Sequence, residues 1–522
     1  VPVRILSQAQ ARAADRAAAA AGMPIDLLME QAGVAVATAA QRSFATALAH
    51  GVLVLAGAGA NGGDGLVAAR VLADRGRRVI ALVAGGAAAF AGRGPDQREA
   101  LRRLAPYGVP VDTLTEEAVR QALAQLGPAL VVDAITGTGV EGGLRPEAAG
   151  ALAAARAGAG AILAVDLPSG VDPDSGLAGE GSVAADRTVA MGFRKPGHVL
   201  WPGAGLCGGV DVAPIGLAPF GEALPGPRFA LVDRSEAATL LVPRPATAHK
   251  GTAGRLVVVA GSPGFEGAAV LCALGGLHGG AGRLTVRSTD GVRAALRTRV
   301  PEAMAIGPEQ DLAATLGEAQ AVAIGPGLGR SAGSADLVRL VLARARAAVL
   351  DADALTSLAD VGEGWARDVA GAAAAGAGRL VLTPHPGEAA TLLAALGEGA
   401  PTATEVDAAR LEAARSLARA AGAVVLLKGR PTVVARPDGD LRVNPTGTAA
   451  MGTGGTGDVL TGLVGALLAQ GMAAWDAAAL AAFVHGLAGE RAAGGSDRGL
   501  AASALAAALP GAFAEVLGGG RA

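Results

Sequence analysis

The sequence predicts an α/β protein of two domains, each a parallel sheet covered by helices. Three observations carry this. Short apolar runs recur along the chain, each followed by a loop of Gly, Pro and polar residues and then a helical stretch, which is the sequence form of βαβ units. At 522 residues the chain is too long for one ordinary core. A proline-rich interval with little periodicity (Pro214, Pro219, Pro225, Pro227, Pro243, Pro245) splits the runs into two series. Expected boundaries are 1–217 for the first domain, 218–245 for the connection and 246–522 for the second domain.

In the first series, residues 7–48 read as one or two Ala-rich amphipathic helices. GVLVLAGAGANGGDGLVAARVLADRG then supplies a strand, a glycine loop and a helix from about Leu66 to Arg75, before the strand RRVIALVAG. ALVVDAITGTG and AAILAVDLPSGVD each place an acid, Asp133 and Asp166, where a strand ends. RTVAMGFRKPGHVL is a strand that runs out at Lys195 and Pro196. A ligand site at the carboxyl ends of these strands is expected.

The second series is GRLVVVAGS, AVAIGPGLG, AAVLDADAL, LVLTPHPGE and VVLLKGRPT, with helical stretches such as ATEVDAARLEAARSLARAAG between them. TGGTGDVLTG follows, a glycine turn opening an apolar helix. Its amides and the helix dipole suit phosphate oxygens, while Asp458 fits a helix cap as well as a base. KGRPT offers a cation, amides and a hydroxyl for nucleotide phosphates, or is a solvated turn. TPHPGE holds His385 and Glu388 on a stiff loop suited to substrate, water or Mg²⁺, or to a plain turn. GPGLG permits close backbone approach, and Asp351 and Asp353 fit either Mg²⁺ or a helix cap.

Composition points to small-molecule chemistry. A net charge of −2 provides no basic field for nucleic acid. Hydrophobic residues reach 51% with aromatics at only 2%, so the mean hydropathy of +0.42 reflects Ala, Val and Leu rather than a membrane span; Gln470, Asp476 and His485 interrupt the most apolar stretch. Two cysteines, Cys207 and Cys272, suit a reducing cytosol rather than a disulfide framework, and the first residues lack the pattern of a signal peptide. A cytoplasmic location is expected. Alanine-rich surface helices leave room for a homo-oligomer.

Together, HKGTAG, GSPGFEGAAV, GPGLG, LDADAL, TPHPGE, LLKGRPT, NPTGTAAMGTGGTGDVL and HGLAG make residues 230–510 resemble the ribokinase-like superfamily, and more narrowly the ADP-dependent NAD(P)H-hydrate dehydratases. GAGANGGDG, VDAITGTGVEGGLR, VDLPSGVD and the Lys-Pro-Gly at 195–197 make the first half resemble the NAD(P)H-hydrate epimerase domain, with Ala60 where that family usually has Asn. The resemblance implies a Rossmann-like three-layer α/β/α sandwich followed by a ribokinase-like α/β/α domain. It implies repair of the hydrated cofactors NADHX and NADPHX. The first domain would interconvert the R and S forms, and the second would dehydrate the S form while ADP becomes AMP and phosphate.

By the same resemblance Asp458 is the base of the second domain, beside the amides of Gly455, Thr456 and Gly457. Lys428, Gly429, Arg430, Pro431, Thr432 and Gly457 hold the nucleotide, with Mg²⁺, and Ala268, Gly327 and His385 lie near the nicotinamide. In the first domain Asp166 is the acid or base and Lys195 a second candidate. Ala60, Asn61, Gly62, Gly63 and Asp64, with Gly137, Thr138, Gly139, Val140, Glu141, Gly142 and Gly143, hold pyrophosphate and ribose. Asn61, Asp133 and Ser169 supply oxygens for K⁺. The alternative is a ribokinase-like sugar or vitamin-precursor kinase with a non-catalytic nucleotide-binding first module. Generic NAD binding is disfavoured because GAGANGGD fits G-x-G-x-x-G poorly.

Overall fold

Parallel strands can be joined only by crossovers, so a chain that alternates apolar runs with helices must stack the helices on the faces of its sheets. The computed structural model, which describes residues 3–90, 93–137, 143–375, 379–397 and 399–519, has this form twice. One unit runs from Arg4 to Gly226 and the other from Pro227 onward, with Val3 grouped in the second. Residues 218–245, expected as a connection, carry the helix Ala218–Glu222, the strand Phe229–Leu231 and the helix Arg234–Leu240, and are shared between the two units.

Numbering the strands from β1 (Val3–Arg4), the first unit holds β2 (Val52–Ala56), β3 (Val79–Val83), β4 (Val111–Thr113), β5 (Leu130–Ala134), β6 (Ala161–Val165), β7 (Arg187–Met191) and β8 (Gly209–Ala213). They form a wholly parallel sheet in the order β4-β3-β2-β5-β6-β7-β8. The central strands are buried on both faces, so they read as unbroken apolar runs rather than alternating ones. Helices Ile25–Ser43 and Ala60–Asp74 build the core on one side, and Glu116–Leu126 and Pro146–Gly158 on the other. The strand order reverses between β2 and β5, where the crevice of such a sheet opens.

One local expectation is corrected. The helix after β2 begins at Ala60, not near Leu66, so NGGDG lies within its first turns rather than in a loop. The glycines there serve close packing: a methyl on Gly62 would lie 1.6 Å from the Gly57 carbonyl oxygen, and one on Gly65 would lie 2.5 Å from Ala134 Cβ.

The second unit holds β9 (Phe229–Leu231), β10 (Arg255–Val259), β11 (Arg283–Arg287), β12 (Met304–Ile306), β13 (Ala321–Ile324), β14 (Ala348–Leu350), β15 (Leu380–Leu382), β16 (Val424–Leu427), β17 (Thr432–Ala435) and β18 (Leu441–Asn444). The sheet order is β1-β9-β18-β17-β16-β15-β14-β13-β10-β11-β12. From β16 through β12 it is parallel, and β17 pairs antiparallel with both its neighbours. Its reversal lies between β10 and β13.

Helices Glu266–His278 and Thr456–Ala469 lie side by side on this sheet at glycine contacts. A methyl on Gly275 would sit 2.1 Å from the Val459 carbonyl oxygen, and one on Gly462 would sit 1.9 Å from that of Cys272. The facing positions (Leu271 and Gly455, Gly275 and Val459, Gly279 and Leu463) advance together, so the helices run parallel and begin at the same edge. Gly275→Ala should therefore force the pair apart and cost about 1–3 kcal/mol. The expected readout is a lower urea midpoint for this unit; a midpoint at or above that of the wild type would contradict the close packing.

Candidate active sites

In the second unit the loops after β13, β14, β15 and β16 and the start of helix Thr456–Ala469 converge at the carboxyl edge of the sheet. Asp351, directly after β14, is 1% exposed. Its Oδ1 accepts the Lys428 ammonium at 2.6 Å, and its Oδ2 accepts the Thr461 hydroxyl at 2.5 Å. The Lys428 ammonium also lies 3.6 Å from Glu388, and a methyl on Gly457 would be 3.5 Å from it, so it faces the helix start. Burial lowers the lysine's affinity for its proton, but Asp351 and Glu388 more than offset that and raise its pKa.

Asp458 lies in the first turn of its helix. The N-cap is Gly455 at φ 92, with no side-chain cap bond, so the capping reading of Asp458 is not what forms. Burial first, and then repulsion from Asp351, push its carboxyl up to about 7, with Lys428 pulling the other way. A carboxyl poised there is half ionised near neutrality, as a general base requires. The linkage sign follows. Between the ordinary carboxylate range and about 7 the native state holds a proton the unfolded chain has lost, so this group's contribution to stability falls as pH rises through that window.

TPHPGE is a capping box. His385 Nδ1 accepts the amide of Gly387 at 3.0 Å, and Glu388 accepts the His385 amide at 2.8 Å, so the helix Pro386–Ala394 delivers Glu388 beside Lys428. Burial raises the Glu388 pKa while Lys428 opposes it. The Lys428 amide donates to the Pro384 carbonyl at 2.8 Å, tying KGRPT to this loop. Within KGRPT, Gly429 stands at φ 137, Arg430 is exposed, the Pro431 carbonyl accepts the buried Arg410 guanidinium, and the Thr432 hydroxyl donates to the Gly429 carbonyl at 3.0 Å. Gly327 stands at φ 58, where a methyl would meet Ala268 Cβ at 2.9 Å, and Ser262 donates to its carbonyl at 2.9 Å. Asp353 does not cap its helix but accepts the Gly329 amide at 2.8 Å.

In the first unit Asp166 follows β6 and Lys195 follows β7. Both are buried, at 6% and 3% exposure, and the ammonium pairs with Asp166 Oδ1, which also accepts the Met191 amide at 3.0 Å. Asp166 sits at φ 64, a left-handed conformation that costs an L residue about 1–3 kcal/mol. Burial, and then repulsion from Asp166, raise the Asp64 carboxyl well above the usual range. Burial likewise raises Asp15, with Lys195 opposing.

Beside this pair lies an oxygen-rich cluster. Asp133, 1% exposed, accepts the Ser169 amide at 2.8 Å and the Ser169 hydroxyl at 2.6 Å. Asn61 donates its amide to the Thr136 carbonyl at 2.9 Å and packs on Gly137. Ala60 opens its helix, exposed, and Gly62 and Gly63 are buried behind it. Gly143 is exposed near Glu180, while Thr138, Gly139, Val140, Glu141 and Gly142 lie outside the described residues. Among the described residues no three His, Cys, Asp or Glu side chains cluster as metal ligands, and no helix is long and apolar enough to cross a membrane.

Several residues of the candidate sites were assigned no role by the sequence motifs, including two that lie inside quoted motifs. Thr461 is one turn beyond Asp458 on the same helix face, a signal readable from spacing. His485 opens HGLAG, and its Nε2 donates to the Thr456 carbonyl at 2.9 Å, with burial lowering its pKa to about 4. His198 and Asp15 join the first site only through the fold.

The two sites define a two-unit α/β enzyme with acid–base groups at the strand ends of both sheets. Family models match residues 25–197 as YjeF-related protein N-terminus and residues 256–511 as NAD(P)H-hydrate dehydratase. The Bifunctional NAD(P)H-hydrate repair enzyme Nnr of Moorella thermoacetica is 38% identical, covering 90% of this chain and 89% of its own length. Its namesake from Pyrobaculum aerophilum is 38% identical over 95% of each chain. A solved ADP/ATP-dependent NAD(P)H-hydrate dehydratase from Bacillus subtilis, co-crystallised with ATP/Mg²⁺, is 30% identical and covers 56% of this chain and 100% of its own, with a TM-score of 0.47. The chain belongs to the family of bifunctional NAD(P)H-hydrate repair enzymes.

Because Lys428 holds the Asp458 pKa down, Lys428→Met should move the carboxyl's midpoint upward from about 7. Carboxyl ¹³C titration of the ligand-free chain would read this. A wild-type midpoint in the ordinary carboxylate range, or a downward move in the variant, would refute the electrostatics given above.

Proposed function

We propose that the first unit interconverts the R and S epimers of hydrated NADH and NADPH and that the second dehydrates the S epimer at the expense of ADP. The observation that carries this reading is Asp458, a carboxyl poised near neutrality on a helix start whose amides no side chain caps, with a cation alongside.

Hydroxide is a poor leaving group, so the C6 hydroxyl has to be converted into a better one. Asp458 takes the hydroxyl proton as the oxygen attacks the β-phosphorus of ADP. The bond from that phosphorus to the bridging oxygen breaks, and AMP leaves with the electron pair. The amides of Gly455, Thr456 and Gly457, together with Lys428, stabilise charge on the transferring group. Phosphate then departs from C6 with the C–O bonding pair, pushed by the ring nitrogen lone pair, and loss of a C5 proton restores the double bond. Lys428 to Thr432 and Gly457 hold the AMP moiety, and Ala268, Gly327 and His385 border the nicotinamide.

The carboxylates of this site already accept bonds: Asp351 from Lys428 and Thr461, Asp353 from an amide, and Glu388 from His385. That donor set fits Mg²⁺ carried in on the nucleotide phosphates with most of its waters rather than a cage of protein ligands. When bound, the ion neutralises phosphate charge.

In the first unit Asp166 is the acid or base at C6 and Lys195 its partner. Residues 60–64, with Gly137 and Gly143, hold pyrophosphate and ribose, a task that extends to Thr138, Gly139, Val140, Glu141 and Gly142. Asn61, Asp133 and Ser169 offer oxygen donors around a single buried carboxylate, a set that fits K⁺ as a positioning ion. The kinase alternative leaves this buried Asp–Lys site without a task. A homo-oligomer is our reading of the assembly, and light scattering tests it.

Purified chain with ADP and the S epimer should regenerate the dihydronicotinamide absorbance, and Asp458→Asn should lower that rate about 1000-fold. The wild-type kcat/KM should fall about tenfold per pH unit below about 7, because the base form is lost as pH falls through its pKa. A wild type that restores no absorbance but phosphorylates a small alcohol would favour the kinase. Asp166→Asn should abolish conversion of the isolated R epimer while leaving dehydration of the S epimer intact; equal R-epimer rates in both chains would remove Asp166 from the mechanism.

A further inference from the structure

One buried side chain bridges both members of the Asp166–Lys195 pair, and the chemistry above gives it no part. His198 is 4% exposed. Its Nδ1 accepts the backbone N–H of Lys195 at 2.8 Å, so the ring proton belongs on Nε2, which donates to the backbone carbonyl of Asp166 at 2.5 Å. Burial, and then the neighbouring Lys195 charge, lower its pKa to about 4, which keeps the ring neutral and both bonds available.

The two residues it joins come from the ends of different strands, β6 and β7. Among the described residues only Asp166 and Ala352 adopt a positive φ without being glycine. A backbone in that conformation relaxes unless its surroundings hold it. The His198 bond falls on the carbonyl of that strained residue, and the opposite ring nitrogen is bound to the residue that carries the ammonium.

We propose that His198 is the positioning residue of the epimerising pair: it holds Asp166 in its left-handed conformation and fixes its separation from Lys195 through the two ring nitrogens. This rests on the assignment of Asp166 and Lys195 as that pair. Only an imidazole makes both bonds from this position. The carbonyl oxygen of Asn can replace Nδ1 and the amide of Gln can replace Nε2, so substitution separates the two halves of the clamp.

The full chain supplies its own assay, since recovery of absorbance from pure R epimer reports epimerisation and recovery from pure S epimer reports the other unit. His198→Phe, which removes both bonds, should lower the epimerisation kcat about 100-fold, the scale of a 1 Å misplacement. KM should stay within about twofold, as expected when the ground state still binds. His198→Asn and His198→Gln should fall between the Phe variant and wild type, and all three should dehydrate the S epimer at the wild-type rate. A Phe variant with kcat unchanged, or a loss confined to KM, overturns the proposal. Should the Phe variant not fold, Asn and Gln variants that both keep the wild-type kcat overturn it equally. ¹⁵N spectra of histidine-labelled wild type should show His198 protonated at Nε2 alone, and a proton on Nδ1 would also refute it. A wild type that does not epimerise the R form at all sinks the assignment of the pair and this inference with it, whereas an active wild type with indifferent variants removes only His198.

Discussion

A parallel sheet sends every strand out at the same edge, and both sites follow from that constraint. The loops after β2, β5, β6 and β7 in one unit, and after β13 to β16 in the other, have nowhere else to emerge. Residues far apart in sequence, such as Asp351 and Lys428 or Asp166 and Lys195, meet because their strands end side by side or nearly so. Where backbones must come closer than side chains allow, glycine is the residue present: Gly62 against Gly57, Gly275 against Val459, Gly462 against Cys272. The high glycine count is thus in part a packing requirement, which shortens the distance between helix and helix and between loop and strand.

The two sites manage charge in different ways. In the first, the Asp166 and Lys195 side chains are buried together and pair directly with each other. In the second, burial and then repulsion from Asp351 raise the Asp458 carboxyl against the pull of Lys428, whose ammonium is hydrogen-bonded to Asp351. The outcome is a carboxyl near its half-ionised point without a hydrogen-bonded base beside it. Thr461, bound to Asp351 and one turn from Asp458, keeps those two acids in fixed relation.

The alternation of strand, loop and helix was legible because fully buried parallel strands must be apolar without interruption, and the division into two series showed in the prolines. What the chain did not disclose was where packing overrides local pattern. GANGGDG reads as a loop, yet it winds into helix from Ala60, since the glycines that weaken a helix in isolation are what let this one approach the neighbouring loop. Candidate residues inside motifs with an unusual local pattern, such as Asp458 and His385, could be picked out by reading along the chain. His198 and Asp15 could not, because their relation to Asp166 exists only across strands.

The helix that begins at Thr456 starts on a glycine with no side chain over its first amides. Its opening turn is therefore incomplete by itself, and an anion seated there finishes the helix as well as binding to it. On the proposed function that anion is a phosphate of ADP, and its binding to the native state alone would couple the stability of this unit to nucleotide concentration, so that the folded fraction rises with the supply of co-substrate.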